Sequence, residues 1–117
     1  MRVLLADDSR TIQLILKGLL WELGVQDVTV AEDGAEAIAR LEEDEPFDLV
    51  LLDLHMPEAD GFEVIPHAAG TPVVVISSES DHRQIEKARE LGAYGYIKKP
   101  FKKEGLRAAV RAAKEAS

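Results

Sequence analysis

Five short apolar runs alternate along the chain with segments of helical periodicity. The runs fall at 3–6, 28–31, 47–52, 73–77 and 94–97. A strand followed by a helix, repeated in this way, is typical of a parallel sheet with helices wound on both faces. The runs are continuously apolar, as expected of strands that are covered on both sides. The sequence therefore predicts a doubly wound α/β fold with a five-stranded parallel sheet.

Capping residues mark where several helices begin and end. Ser9 is suited to cap the first helix, and Gly24 and Gly92 follow the first and fourth helices, where a left-handed residue is favoured. The third helix is the weak element, because Pro66 removes a backbone donor and disfavours helical geometry before it. We expect that helix to be shortened to one or two irregular turns. The other predicted helices cover 10–23, 35–43, 82–91 and the chain from 102 onward.

Length, charge and cysteine content narrow the class of protein. The 117 residues are enough for one domain with its own core, over 1–117. The chain has no cysteine, which excludes disulfides and thiolate metal sites. Its formal charge of −8 argues against nucleic acid as a ligand, because phosphate contacts dominate such binding. No apolar stretch approaches the roughly 20 residues of a membrane span, and the first strand leaves no room for a signal peptide. We therefore expect a cytoplasmic protein with no membrane contact.

Carboxylates follow two strands of the predicted sheet. Asp7 and Asp8 come directly after the first strand, and Asp53 ends the third. Ligands of open parallel sheets bind outside the carboxyl ends of the strands, so these side chains are expected to converge if the strands are neighbours. Three such charges repel one another unless a cation shares the site, and an all-oxygen set suits Mg²⁺. Taken singly, each carboxylate is also explained by an ordinary helix cap or strand exit.

Two further strands end in matching chemistry. The fourth strand finishes on the hydroxyl of Ser77, and the fifth finishes on the amine of Lys99. Carboxylates, a hydroxyl and an ammonium group at one edge of a sheet provide a nucleophile, a metal-binding site and two groups to hold phosphate oxygens. The combination indicates phosphoryl transfer.

Four motifs, in order along nearly the whole chain, resemble those of the response-regulator receiver domains of bacterial two-component signalling. They read LLADDSRT, VLLDLHMPEADGFE, PVVVISSES and GYIKKPF. The resemblance implies a flavodoxin-like sheet of strand order 2-1-3-4-5. It also implies that Asp53 accepts a phosphoryl group from a sensor histidine kinase or a phosphotransfer protein. Mg²⁺ would then be held by Asp8, Asp53 and the backbone carbonyl of His55, with Asp7 acting largely through water.

The resemblance also assigns the switch. Ser77 would hydrogen-bond the phosphoryl group and Lys99 would pair with it, with Lys99 oriented by Pro100 through a cis peptide bond. Movement of Ser77 would leave space for the ring of Tyr96, repacking the face formed by the fourth helix, fifth strand and fifth helix. That face would control a downstream target, which the sequence does not identify, and the protein would be a monomer or a weak dimer linked to phosphorylation.

Three functions follow from these residues. The leading one is a signalling switch that catalyses only its own phosphorylation and dephosphorylation, and is no metabolic enzyme. A phosphatase or mutase with an aspartyl-phosphate intermediate is the second, but its usual D-x-D arrangement after the first strand is replaced here by the adjacent pair Asp7 and Asp8. The third is a receiver-like scaffold that binds partners without phosphate.

Two helix surfaces are candidates for partner binding. On the first helix the period places Ile15 on the inward stripe, and leaves Leu14, Gly18 and Trp21 outside as an apolar strip. Residues 98–117 hold seven Lys or Arg and two Glu, a balance of +5 in an acidic chain. The outer face of the last helix is therefore expected to be basic, either as an ordinary solvated face or as a site for an acidic partner. Its exposed cations are predicted to be Arg107, Arg111 and Lys114.

Overall fold

The computed structural model describes residues 1–43, 45–54, 61–68, 70–78 and 82–116. Strands and helices alternate along the chain, as the apolar runs predict. The strands are β1 (Arg2–Ala6), β2 (Asp27–Ala31), β3 (Leu49–Asp53), β4 (Val73–Ser78) and β5 (Gly95–Lys99). The helices are α1 (Arg10–Glu22), α2 (Gly34–Leu41), α3 (Gly61–His67), α4 (His82–Glu90) and α5 (Lys103–Ala116).

All five strands form one parallel sheet in the order β2-β1-β3-β4-β5, which confirms the predicted flavodoxin-like topology. The chain winds outward from β1 in one direction to β2 and in the other through β3 to β5. The winding direction therefore reverses between β1 and β3, which is the position where ligands bind in sheets of this kind. The register there aligns Ala6 with Leu52, so the residues that follow both strands emerge side by side.

Alternate residues of the central strands pack into two separate cores. One core lies under α1 and α5 and includes Leu5 and Leu51; the other lies under α2, α3 and α4 and includes Leu4 and Leu52. Every residue of β3 is buried, including the terminal Asp53. The continuous apolar runs are thus explained by burial on both faces. The edge strands β2 and β5 are partly exposed, because each has a neighbour on one side only.

Helix α1 is capped as predicted but is rotated relative to the expected inward stripe. The hydroxyl of Ser9 accepts a hydrogen bond from the Ile12 amide at 3.3 Å, and Gly24 follows the helix with φ +86°. The prediction that Ile15 faces inward is wrong, since its exposed fraction is 46%. Gln13 is buried in its place. The physical reason is a polar contact of Gln13, described with the site below.

The short helix α3 spans seven residues and includes Pro66, so the prediction of a shortened third helix is confirmed. It starts against the exit of β3. A Cβ atom on Gly61 would lie 2.8 Å from both the carbonyl oxygen of Asp53 and the Cα of Leu54. Only glycine fits this contact without displacing backbone next to Asp53. No helix in the described part of the chain has the length and apolar character needed to cross a membrane.

Candidate functional site

Three carboxylates meet where β1 and β3 end. Asp7, Asp8 and Asp53 each offer an oxygen atom, and these atoms all lie within 4.8 Å of one another. Asp7 and Asp53 are buried, whereas Asp8 is exposed. The predicted convergence is therefore confirmed, and it follows from the side-by-side exit of the two strands.

The Asp7 carboxylate is held on one side only. Its Oδ1 accepts a hydrogen bond from the Ser9 amide at 2.8 Å, while its Oδ2 is buried and has no hydrogen-bond donor among the described residues. Burial raises the pKa of Asp7, with further contributions from the charges of Asp53 and Asp8; the Ser9 bond and the Lys99 charge oppose the rise. The site thus carries more negative charge than its protein partners neutralise.

The donor set fits a hard divalent cation. All three side chains offer oxygen, the ligand that Mg²⁺ prefers, and a buried acceptor without a donor suits a metal or a metal-bound water. Asp7, Asp8 and Asp53 are the described residues that would hold the ion. The predicted fourth ligand, the His55 carbonyl, lies outside the described residues.

Lys99 reaches Asp53 from two strands away. Its Nζ lies 3.6 Å from Oδ2 of Asp53, and its side chain is one-third exposed. The peptide bond between Lys99 and Pro100 is cis, as the motif predicts. The ammonium group therefore approaches the carboxylate from the side of β5, while Asp7 and Asp8 approach from the side of β1.

Ser77 lies on β4, the strand between Asp53 and Lys99. It is buried, and it pairs in register with Lys98 while Asp53 pairs with Ile76. The structure therefore brings the predicted hydroxyl to the same edge of the sheet as the carboxylates. A carboxylate nucleophile, an oxygen-lined cation-binding site, a hydroxyl and an ammonium group at one edge can together support transfer of a phosphoryl group.

Comparison with known proteins decides the family. The model of the response regulator receiver domain matches residues 3–111. The chain belongs to this family. Its order of strands and its acidic cluster are those that the sequence motifs lead one to expect of a receiver.

Named relatives of this receiver come from several bacteria. It is 39% identical over 103 residues to the transcriptional regulatory protein PdtaR of Mycobacterium tuberculosis, covering 86% of this chain and 50% of that protein. It is 35% identical over 107 residues to the chemotaxis protein CheY-3 of Vibrio cholerae, covering 86% and 82%. The chain thus spans half the length of the mycobacterial regulator.

A solved structure matches the fold over nearly the whole receiver. The receiver domain of NtrX from Brucella abortus is 30% identical to this chain, covers 98% of it and 99% of its own length, and superposes with a TM-score of 0.88. The two proteins therefore share the complete sheet and its covering helices.

Two residues near the site were not singled out by the sequence. The Nε2 atom of Gln13 donates to the backbone carbonyl of Asp7 at 2.7 Å, and Gly61 allows α3 to start against Asp53. A polar residue three positions before the buried Leu16 could have signalled Gln13. Gly61 stands in a quoted motif, but only the three-dimensional packing shows what it contacts.

The second predicted switch residue, Tyr96, and the predicted partner residues are not part of the acidic cluster. Tyr96, with an exposed fraction of 41%, lines a groove of about 290 Å³ between β5 and α5. On α1, Leu14 and Trp21 are 65% and 63% exposed, and a Cβ on Gly18 would meet nothing within 4 Å. The exposure predicted for this strip is confirmed, and Ile15 extends it. The cations predicted on α5, Arg107, Arg111 and Lys114, are exposed as well.

Proposed function

We propose that this receiver accepts a phosphoryl group on Asp53 and thereby acts as the phosphorylation switch of a two-component pathway. The observation that carries the proposal is the position of the Asp53 carboxylate. It lies within 4.8 Å of oxygens from Asp7 and Asp8 on one side, and 3.6 Å from the Lys99 ammonium on the other. Such an arrangement offers a nucleophile flanked by a cation-binding site and by a fixed positive charge.

The proposed donor is a phosphohistidine of a sensor kinase or phosphotransfer protein. A carboxylate oxygen of Asp53 forms the new bond to phosphorus, the bond between phosphorus and the imidazole nitrogen breaks, and its electron pair leaves with the imidazole. Bound Mg²⁺ would neutralise charge on the transferred oxygens. Asp7 and Asp8 would hold this ion, with the buried Asp7 Oδ2 facing it or one of its waters.

Lys99 and Ser77 would hold the phosphoryl oxygens from the other side. The ammonium of Lys99 is already within ion-pair distance of Asp53, so a phosphoryl group there gains a charge-assisted contact with little rearrangement. Ser77 is buried on the intervening strand and carries a hydroxyl that can donate. An aspartyl phosphate adds nearly two negative charges, enough to bias a two-state element.

The output of the switch would be the face formed by α4, β5 and α5. Tyr96 is half-exposed beside a groove whose α5 wall consists of the small residues Gly105, Ala108, Ala109 and Ala112. Displacement of Ser77 toward a phosphoryl group would change the packing available to this ring, and the groove would change shape with it. A partner that prefers one shape would shift the equilibrium accordingly.

The phosphodonor would dock on the apolar strip of α1, formed by Leu14, Ile15, Gly18 and Trp21. Three large apolar side chains are exposed together on this helix, and such a grouping favours a protein contact over incidental exposure. The downstream target stays undefined. The protein would work in the cytoplasm as a switch that modifies only itself, and not as a metabolic enzyme.

The test is the intact mass of the protein after incubation with Mg²⁺ and acetyl phosphate, with Asp53→Asn and a metal-free sample alongside. Gain of one phosphoryl group that requires Mg²⁺ and is lost in the variant is the expected result. No adduct under conditions that trap acyl phosphates would overturn the proposal. It would favour instead a receiver-like scaffold that binds partners without phosphate through the α1 strip.

A further inference from the structure

The buried amide of Gln13 fixes the backbone between two of the three clustered carboxylates. Its Nε2 donates to the carbonyl oxygen of Asp7 at 2.7 Å, and the side chain is only 8% exposed. The amide nitrogen must face this carbonyl, because two acceptor oxygens cannot share a hydrogen bond. A short hydrogen bond that is shielded from water is costly to break, since breaking it leaves a buried carbonyl without that donor.

The peptide bond carries this contact from Asp7 to Asp8. Its six atoms are nearly coplanar, so a fixed carbonyl oxygen on Asp7 also fixes the amide nitrogen and the Cα of Asp8. The amide of Asp7 is in turn anchored to the Ala31 carbonyl at 3.1 Å, and its Oδ1 to the Ser9 amide. Asp7 is therefore held by three hydrogen bonds. The bond from Gln13 is the one that also fixes the position of Asp8.

Asp8 depends on this anchor more than the other two carboxylates. Asp53 ends a buried strand and contacts Lys99, and Asp7 is itself buried. Asp8 is exposed and comes two residues after Ala6, the last residue of β1. Its place within 4.8 Å of the other carboxylates is set by the direction of the peptide that precedes it.

We infer that Gln13 is a positioning residue for the cation-binding site. It orients the Asp7–Asp8 peptide and so holds the Asp8 carboxylate in place to bind a divalent ion. This role rests on the proposed metal site. It explains why a polar side chain occupies the inward face of α1 where an apolar one would pack. Partners one step removed from a metal commonly change its affinity by about tenfold to a hundredfold.

The test compares Gln13→Met with Leu16→Val by nuclear magnetic resonance. Methionine keeps the size of the side chain and removes the donor, while Leu16→Val trims a fully buried side chain one turn along the same helix without touching Asp7. Two quantities are measured: the order parameter of the Asp8 amide in metal-free protein, and the Kd for Mg²⁺ from a titration.

In Gln13→Met, the order parameter of the Asp8 amide is expected to fall from the rigid range near about 0.85 toward the flexible range below about 0.6. The Kd for Mg²⁺ is expected to rise about tenfold. Leu16→Val should change neither, although it also loosens packing. The inference is overturned if both variants match the wild type in these two quantities. If the wild-type protein binds no Mg²⁺, the proposed metal site fails, and the metal-free order parameter alone decides the role of Gln13.

A measurement on the unmodified protein covers the case in which Gln13→Met does not fold. The side-chain amide protons of Gln13 should exchange slowly with water, and a scalar coupling should join its nitrogen to the carbonyl carbon of Asp7. Fast exchange without that coupling would show that the bond is not held in solution, and would overturn the inference.

Discussion

Nζ of Lys99 lies 3.6 Å from Oδ2 of Asp53, although β4 separates the strands that carry the two residues. The contact therefore joins β3 and β5 across the end of β4, the strand that carries Ser77. Because an ammonium group at this distance can stabilise charge on a group attached to Asp53, the contact bears directly on the proposed phosphoryl transfer.

Replacing Lys99 tests this contact. Lys99→Met keeps the length of the side chain and removes the charge, and we expect the rate of phosphorylation by acetyl phosphate to fall about a hundredfold. Lys98→Met is the matched control, since it removes an exposed lysine from the adjacent position of β5. The rate is measured by intact mass over time. Equal rates in the two variants would contradict a role for Lys99 in the reaction.

The raised pKa of Asp7 predicts how stability depends on pH. Its carboxyl binds a proton more tightly in the folded chain than at its ordinary pKa of 3.8, so the folded state is favoured at low pH. This contribution is lost as pH rises from about 3.8 through the raised folded pKa. We therefore expect Asp7→Asn, without metal, to raise the free energy of unfolding at pH 7 by about 1 kcal/mol, with no gain at pH 3.

Denaturant unfolding at both pH values measures this effect, and Glu115→Gln serves as the control because Glu115 is an exposed carboxylate near the end of α5, outside the acidic cluster. Added Mg²⁺ should stabilise the wild type, by about 2.7 kcal/mol at a hundred times its Kd, and should stabilise Asp7→Asn much less. A metal-free Asp7→Asn that is less stable than the wild type at pH 7 would show that burial of the charge is not the dominant cost.

The parallel sheet could be predicted from short-range patterns, whereas its strand order came from the resemblance to receiver domains. Continuous apolar runs indicated buried parallel strands, and the carboxyl ends of such strands share an edge. Asp7, Asp8 and Asp53 were expected together if the first and third strands are neighbours, and those strands do pair. Their chemical roles came from the motifs, because position alone does not separate a metal ligand from a helix cap.

The rotation of α1 could not be predicted from hydrophobic periodicity. An apolar stripe drawn through Ile15 ignores the hydrogen bond that turns Gln13 inward, and that bond depends on where the Asp7 carbonyl lies in space. The same limit applies to Gly61, whose contact with the Asp53 carbonyl joins elements that the sequence shows only as neighbours along the chain. A polar contact and a steric contact between different parts of the fold decided these two positions.

The apolar strip on α1 predicts a separation of two activities. Trp21→Ser should leave phosphorylation by acetyl phosphate within about twofold of the wild type, because the indole is exposed and away from the acidic cluster. Transfer from a phosphorylated histidine phosphotransfer domain should slow by about tenfold or more if this surface docks the donor. Tyr94→Ser is the control, since it removes another exposed aromatic ring, directly before β5. Equal transfer by both variants would remove the strip from the docking surface.

The close contact of Gly61 predicts that an added methyl group is destabilising at this position, although it is tolerated at Gly18. Gly61→Ala would place a Cβ 2.8 Å from the Asp53 carbonyl oxygen and from the Cα of Leu54, so the backbone at Asp53 and Leu54 must shift. We expect a loss of about 2–3 kcal/mol in the free energy of unfolding. Gly18→Ala is the matched control: its Cβ meets nothing within 4 Å on an exposed helix face, and alanine there should add about 0.5–1 kcal/mol.

Urea unfolding of both variants measures the difference, and phosphorylation by acetyl phosphate shows whether it reaches the site. Because the obstructed atoms belong to Asp53 and its neighbour, we expect Gly61→Ala to slow phosphorylation even where the protein is fully folded. Gly18→Ala should react at the wild-type rate. A folded Gly61→Ala with wild-type stability would mean that α3 can move away from β3 at no cost, and that this close approach does not position Asp53.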